Sequence, residues 1–155
     1  MISEAVKNLL ISNNLTLAAA ESCTGGMVSE IITSVPGASK YFLASCVTYS
    51  YDSKTNLIGV SKETLMQHGA VSIETAAEMA SGIRKVTGAD IGISTTGIAG
   101  PDGGTDLKPV GTVCFGVDYK GRIITKKEVF KGDRDSIRKQ SSAYVLDLLI
   151  NAVED

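Results

Sequence analysis

A serine, a cysteine and a threonine stand together in residues 17–27, LAAAESCTGGM, immediately before two glycines. The apolar run before them predicts a buried strand and the residues after them predict a helix, so Ser22 falls on a strand-to-helix turn. Backbone N–H groups point outward at such a turn, and the helix dipole favours negative charge there, as on an oxyanion. Gly25 and Gly26 would let a ligand approach the backbone, and Thr24 could donate another hydrogen bond. From this turn alone, a nucleophilic Ser22 and a simple N-cap at Ser22 or Thr24 are both open.

A serine nucleophile needs a base, and His68 is the only histidine of the chain. Its position before Gly69 predicts a helix C-cap instead of catalysis. A lysine can act as the base where burial lowers its pKa enough to leave part of it neutral near physiological pH. Lys54, in VTYSYDSK, is the candidate, and a solvated surface charge is the alternative.

Two other kinds of side chain near these positions could take part. Cys23 lies beside the same helix N-terminus, which would stabilise a thiolate, but adjacent residues point in different directions, so only one of Ser22 and Cys23 is expected to face a ligand. Tyr49 and Tyr51 are two residues apart and are expected on one face of a strand. One of them could relay a proton, or both could be core aromatics.

A glycine-rich segment at 97–111, GIAGPDGGTDLKPVG, is the longest irregular stretch of the chain. It follows a predicted strand, and ligands of such sheets bind beyond the carboxyl ends of strands, so we expect this loop to border the site. The Walker A and GxGxxG phosphate patterns are absent. Arg134 and Arg138 lie four residues apart at the start of the last predicted helix, where they could bind a phosphate or pair with Asp133 and Asp135.

Composition and charge limit the class of protein. With 155 residues and a net charge of −2, the chain has the size of one domain, predicted over 1–155, and has no basic stripe for nucleic acid. The three cysteines, Cys23, Cys46 and Cys114, are far apart, which favours reduced thiols and offers no metal-ligand spacing. The start of the chain lacks a basic signal-peptide region, and no apolar run reaches the ~20 residues of a membrane span. We therefore expect a cytoplasmic protein without metal or cofactor and without a nucleic-acid or membrane partner.

The elements that must position these residues alternate between strands and helices. Ser3 is predicted to cap a first helix, Ser72 a helix that closes at Gly88, and Asp133 a long last helix. TVCFGVDY and IITKKEVF are predicted to form a hairpin whose second strand is polar enough to be an edge. The other predicted strands are LTLAAA, YFLASCVTYSY and ADIGISTTG. The pattern predicts an α/β fold with a mixed β-sheet covered by helices on both faces.

Six stretches in series, AESCTGG, VTYSYDSK, QHGAVS, TGIAGPDGGT, KPVGTV and GDRDSIRKQ, resemble the CinA C-terminal family in the same order. The resemblance extends over nearly the whole chain. It implies a three-layer α/β/α sandwich and a homo-oligomer. It also implies a nicotinamide-nucleotide amidase, which hydrolyses the carboxamide of nicotinamide mononucleotide to nicotinic acid mononucleotide and ammonia.

Carried over by motif position, the resemblance implies Ser22 as the nucleophile, Lys54 as its general base and Tyr49 as an assisting hydroxyl. We expect backbone N–H groups from Thr24 to Gly26 to hold the oxyanion. The resemblance further implies nucleotide contacts from the glycine-rich loop and the two arginines, namely Gly97, Ala99, Gly100, Gly103, Gly104, Thr105, Arg134 and Arg138.

The chain departs from the family pattern at Tyr51, where the family commonly has Asn. This change alters the polarity and bulk next to Lys54. The alternative to an amidase is a non-catalytic nucleotide-binding or regulatory module that uses the same pocket.

Overall fold

The computed structural model describes all residues from Met1 to Asp155. The strands are β1 (Leu17–Glu21), β2 (Phe42–Val47), β3 (Ile91–Gly97), β4 (Thr112–Tyr119) and β5 (Arg122–Val129). The helices are α1 (Ile2–Ser12), α2 (Met27–Thr33), α3 (Tyr51–Ile58), α4 (Lys62–His68), α5 (Ile73–Thr87) and α6 (Arg134–Glu154), with one 3-10 turn at Ala38–Lys40. No helix is both long and apolar enough to cross a lipid bilayer.

The strands form one mixed sheet in the order β2-β1-β3-β4-β5. β1 pairs in parallel with β2 and β3, whereas β4 pairs antiparallel with β3 and β5. The predicted α/β fold, the hairpin and its polar edge strand are confirmed. Because β1, β2 and β3 run in the same direction, the chain segments that follow them leave the sheet at one edge.

Helices cover both faces of the sheet because successive side chains of a strand point to opposite sides. Leu17 and Ala19 of β1 belong to a core of 22 buried residues that α1, α2 and α6 complete. Ala18 and Ala20 belong to a second core of 8 buried residues that α3, α4 and α5 complete. The structure therefore confirms the three-layer α/β/α sandwich.

Most of the predicted helix ends are confirmed. Ser72 accepts a hydrogen bond from the Thr75 N–H at the start of α5, and Gly88 ends that helix with φ 76°. Asp133 accepts from the Ser136 N–H at 2.8 Å and caps α6. The prediction for Ser3 is wrong, since α1 begins one residue earlier and Ser3 is buried within it.

The segment after β2 differs from its prediction. The strand ends at Val47, and helix α3 begins at Tyr51, so Tyr49 and Tyr51 do not share a strand face. The physical reason is a reciprocal cap: Ser50 accepts from the Ser53 N–H, and the Ser53 hydroxyl oxygen accepts from the Ser50 N–H. Lys54 is consequently a residue of a helix and not of a surface turn.

Candidate active site

Residues 22–26, called here the nucleophile turn, connect β1 to α2. Ser22 directly follows the strand, and its N–H donates to the Thr95 carbonyl oxygen of β3 at 3.0 Å. Its side chain lies in a largely closed environment, since Ser22 is 8% exposed. The neighbouring strand therefore fixes the backbone that carries the predicted nucleophile.

The structure brings Ser22 and Lys54 together. Lys54 Nζ donates to Ser22 Oγ at 3.1 Å and to the Thr48 carbonyl oxygen at 2.6 Å. Thr48 in turn donates its N–H to the Glu21 carbonyl oxygen at 2.8 Å, which places the end of the β2 segment beside the nucleophile turn. Lys54 is thus buried against the predicted nucleophile, and the alternative of a solvated surface charge is wrong.

Burial sets the protonation of Lys54. The residue is 1% exposed, and no carboxylate pairs with its ammonium group. Removal from water disfavours the charged form and lowers the pKa of Lys54 to about 8. About a tenth of such a lysine is neutral at about pH 7 and can accept a proton. This is the property that a serine hydroxyl requires of its base.

Cys23, the rival nucleophile, is buried and 5% exposed. Burial raises the pKa of its thiol to about 12, and the nearby Glu21 carboxylate acts in the same direction. Since the thiolate is the reactive form, Cys23 remains a poor nucleophile at neutral pH.

Glu21 supports the candidate site in a way that the sequence did not predict. Although it is 1% exposed, its two carboxylate oxygens accept five hydrogen bonds. The donors are the Thr24 and Ser29 hydroxyls and the N–H groups of Gly26, Val28 and Ser29. The chain's own carboxylate therefore occupies the N-terminus of α2. An acid at the end of an otherwise apolar buried strand was the signal that could have identified it.

This carboxylate changes the expected oxyanion donors. The Gly25 N–H donates to the Ser22 carbonyl oxygen at 3.0 Å, and the Gly26 N–H donates to Glu21 Oε1 at 3.1 Å. The Thr24 hydroxyl is bonded to Glu21 and to the Thr95 hydroxyl. The prediction of oxyanion donors at Gly25 and Gly26 is therefore wrong for this structure. The backbone N–H groups of Cys23 and Thr24 donate to no other residue of the chain and are the donors left beside Ser22.

Arg134 and Arg138 attach α6 to two parts of the site. Arg138 donates to the carbonyl oxygens of Cys23 and Thr24, at 3.2 Å and 2.9 Å. Arg134 donates to the Gly100 carbonyl oxygen at 2.7 Å. Neither arginine pairs with Asp133 or Asp135, because Asp133 caps the helix and Asp135 pairs with a lysine one turn later. The two guanidinium groups hold the nucleophile turn and the glycine-rich loop to one helix.

Tyr49 lies apart from the Ser22–Lys54 pair. Tyr49 is 60% exposed, and its hydroxyl oxygen accepts a hydrogen bond from Arg134 Nη2 at 3.2 Å. It makes no hydrogen bond with Ser22 or Lys54. The structure therefore does not place Tyr49 as the assisting hydroxyl, because residues 48–50 leave the strand and direct this side chain toward α6.

The glycine-rich loop borders a cavity of about 300 Å³. Of the predicted loop residues, Gly103 and Thr105 line this cavity. Gly97 and Gly104 serve close packing instead, since a Cβ on Gly97 would lie 2.7 Å from the Thr112 carbonyl oxygen and one on Gly104 would lie 2.7 Å from the Val110 nitrogen. Ala99 is buried, and the Gly100 carbonyl oxygen accepts from Arg134. Nowhere in the chain do three or more His, Cys, Asp or Glu side chains group as a metal site.

Comparison with known proteins identifies the family of this chain. The profile of the CinA C-terminal domain matches residues 1–153. The chain belongs to the CinA C-terminal domain family. The resemblance seen in the six motifs is thereby confirmed.

Curated relatives of this CinA C-terminal domain include longer proteins. A relative from Clostridioides difficile (strain 630), named as a competence-damage inducible protein, is 52% identical over 148 residues, which are 96% of this chain and 35% of the relative. A CinA-like protein from Kosmotoga olearia is 49% identical over 152 residues, which are 98% of this chain and 37% of that protein. The chain spans about a third of the length of these curated relatives.

Solved CinA structures have the same fold. Competence damage-inducible protein A from Klebsiella pneumoniae superposes with a TM-score of 0.94 at 37% identity, covering 97% of this chain and 93% of that one. A competence/damage inducible protein from Agrobacterium tumefaciens has a TM-score of 0.93 at 34% identity and covers 99% and 96%. The chain therefore shares its overall fold with these two solved structures.

Proposed function

We propose that this CinA C-terminal domain is an amidohydrolase that removes ammonia from nicotinamide mononucleotide and leaves nicotinic acid mononucleotide. The observation that carries the proposal is the 3.1 Å contact between Lys54 Nζ and Ser22 Oγ, in which the lysine is buried. The family resemblance supports the choice of substrate.

In the proposed first step, Ser22 Oγ attacks the carboxamide carbon while neutral Lys54 takes the hydroxyl proton. The carbonyl oxygen becomes an oxyanion, which the N–H groups of Cys23 and Thr24 stabilise. Protonated Lys54 then gives its proton to the amide nitrogen, the C–N bond breaks, and ammonia leaves. An acyl ester on Ser22 remains.

In the second step, water attacks the acyl carbon and Lys54 accepts a proton from that water. The C–O bond to Ser22 breaks, Lys54 returns the proton to Ser22 Oγ, and the carboxylic acid product is released. One lysine thus serves as base and acid in both halves of the reaction.

Ammonia release from nicotinamide mononucleotide tests the proposal. Ser22→Ala should reduce turnover by about a thousandfold or more, because the covalent step loses its nucleophile. Cys23→Ala, a change at the adjacent residue, should retain most activity. Unchanged ammonia release by Ser22→Ala would exclude this nucleophile, and inactivity of Cys23→Ala alone would assign the reaction to the thiol.

The alternative of a binding or regulatory module gives a different outcome in the same preparation. Nicotinamide mononucleotide would then raise the melting temperature of the wild-type protein without forming any acid product. That result would contradict the amidase.

A further inference from the structure

The lining of the cavity beside the glycine-rich loop has a positive charge and no negative one. It lies between that loop and the connection from α4 to α5, and its lining contains no carboxylate. The lining residues are Tyr51, Gly69, Ala70, Val71, Ile98, Gly103, Thr105 and Lys108. Lys108 therefore brings a positive charge to a space in which no acid of the lining neutralises it.

Three side chains of this cavity retain hydrogen-bond donors. Lys108 Nζ donates one of its N–H groups to the His68 carbonyl oxygen at 2.9 Å, which leaves two. The Tyr51 hydroxyl oxygen accepts from the Ala70 N–H at 3.2 Å, so its own proton is free. The Thr105 hydroxyl oxygen accepts from the Lys108 N–H at 3.0 Å and likewise keeps its proton. Donors without acceptors suit a ligand that has several acceptor oxygens.

Two of these groups converge on one point. A Cβ built on Gly69 would lie 3.5 Å from Lys108 Nζ and 3.7 Å from the Tyr51 hydroxyl oxygen. Gly69 has φ +77°, a conformation that side chains rarely adopt, so the chain leaves this space clear. The neighbouring groove is lined by Lys108 itself, Lys127 and one carboxylate, Glu74, which lies 3.7 Å from His68 Nδ1.

Ser22 and Lys54 do not line this cavity, but α3 and β3 connect it to them. Tyr51 precedes Lys54 by three residues on α3, so the two side chains lie on the same side of that helix. The Ala70 carbonyl oxygen accepts from the Thr96 hydroxyl at 2.8 Å, and the residue before Thr96 accepts the Ser22 N–H through its carbonyl oxygen. The subsite proposed below requires that a substrate whose amide lies at Ser22 extend along α3 and β3 into this cavity.

We propose that Lys108, Tyr51 and Thr105 form the subsite for the phosphate monoester of the substrate. In this assignment Arg134 and Arg138 hold the two loops through carbonyl oxygens and do not bind the phosphate. The subsite rests on the proposed amidase function, because a phosphorylated amide is the substrate that it would select. In this assignment the Tyr51 hydroxyl donates to the phosphate, and the Asn that is common in the family at this position has no hydroxyl to do so.

Selectivity between a phosphorylated and a phosphate-free amide tests the subsite. Lys108→Met should lower kcat/KM for nicotinamide mononucleotide by about ten- to hundredfold and leave that for nicotinamide riboside within about twofold. Lys108→Arg should retain part of the kcat/KM that Lys108→Met loses. Lys126→Met, at an exposed lysine of β5, should leave kcat/KM unchanged for both substrates. Equal losses on both substrates, or no loss, would overturn the proposal.

Binding of ribose 5-phosphate, followed by calorimetry, separates the subsite from the amidase. Wild-type protein should bind this amide-free compound, and Lys108→Met should lose that binding by about tenfold or more. No binding to the wild type, or equal binding by both proteins, would overturn the subsite even where ammonia release is observed. If Lys108→Met loses this binding and the wild type binds ribose 5-phosphate but releases no ammonia, the subsite stands and the amidase is rejected.

Discussion

In the proposed mechanism, the burial of Lys54 determines the pH range in which Ser22 can react. The lysine must be neutral to accept the hydroxyl proton, and its pKa lies at about 8 because burial penalises the ammonium form. We therefore expect kcat/KM to rise about tenfold per pH unit below about pH 8 and to level off above it. Initial rates of ammonia release over the range from about pH 6 to pH 10 measure this profile.

A matched control for the pH profile is Cys23→Ala. The thiol of Cys23 has a pKa of about 12, so it does not titrate in this range and its removal should leave the profile in place. A rate that does not change between about pH 6 and pH 9 would contradict the assignment of Lys54 as the base.

At the level of residues, sequence reasoning could find Ser22 and Lys54 but not their supports. Residue type alone left Ser22 open between a cap and a nucleophile and Lys54 between a surface charge and a base, and the family resemblance assigned the two roles. Glu21 and the carbonyl oxygen of Thr48 escaped prediction, since their roles depend on contacts between β1, α2 and the segment after β2. Lys108 escaped it too, because its position opposite Tyr51 follows only from the folded loop.

Among the elements, the junction of β1 with α2 depends most on a single side chain. Glu21→Gln removes a negative charge and replaces one acceptor oxygen by an NH2 group. This group is itself a donor and would face the N–H and hydroxyl donors that now bond the carboxylate. We expect the free energy of unfolding to fall by about 2–4 kcal/mol, because buried donors then lack an acceptor. Urea unfolding followed by circular dichroism measures the change.

Glu30→Gln provides the control for this experiment. Glu30 lies in the first turn of α2, whose N-terminus Glu21 caps, and its substitution removes the same charge, but Glu30 is exposed and its side chain makes no hydrogen bond. Its effect should stay within about 0.5 kcal/mol. Equal effects of the two substitutions would show that charge near α2, and not the buried hydrogen bonds, is what matters.

Element prediction succeeded where signals are local. Ser72, Gly88 and Asp133 mark helix ends through side chains or backbone freedom that act within a few residues. It failed after β2, where VTYSY has the composition of a strand while the Ser50–Ser53 cap starts a helix. A reciprocal cap between two serines is a weaker sequence signal than aromatic and β-branched composition.

For the molecule as a whole, we expect the buried ammonium group of Lys54 to lower the free energy of unfolding. Below about pH 8 the folded protein holds a buried ammonium, which the unfolded chain would leave in water. Lys54→Met removes this cost and should raise the free energy of unfolding by about 1–3 kcal/mol near neutral pH while abolishing turnover. The gain should decline as the pH rises from about 8 to about 10.5, because above that range wild-type Lys54 is neutral in both states.

Denaturant unfolding at two pH values tests this trade between stability and function. A Lys54→Met protein that is less stable than the wild type at neutral pH would mean that the two hydrogen bonds of Lys54 outweigh its desolvation. A stability gain without loss of turnover would instead remove Lys54 from the mechanism.

The overall architecture was accessible from the sequence because alternating strand and helix patterns leave few arrangements of layers. The order of strands in the sheet was not, since it depends on which strands pair across long sequence separations. The homo-oligomer implied by the resemblance stays a prediction. β2 is an edge strand in which Leu43 and Val47 are exposed, so it is the part of the sheet to examine first for contact between subunits.

The hydrogen bonds of Glu21 also guide the design of inhibitors. A boronic acid or similar electrophile that forms a tetrahedral adduct with Ser22 carries a negative oxygen. If that oxygen is aimed along the axis of α2, it meets a buried carboxylate that already uses the helix N-terminus. An effective compound should instead direct one oxygen to the N–H groups of Cys23 and Thr24 and place any second anionic group near Lys108.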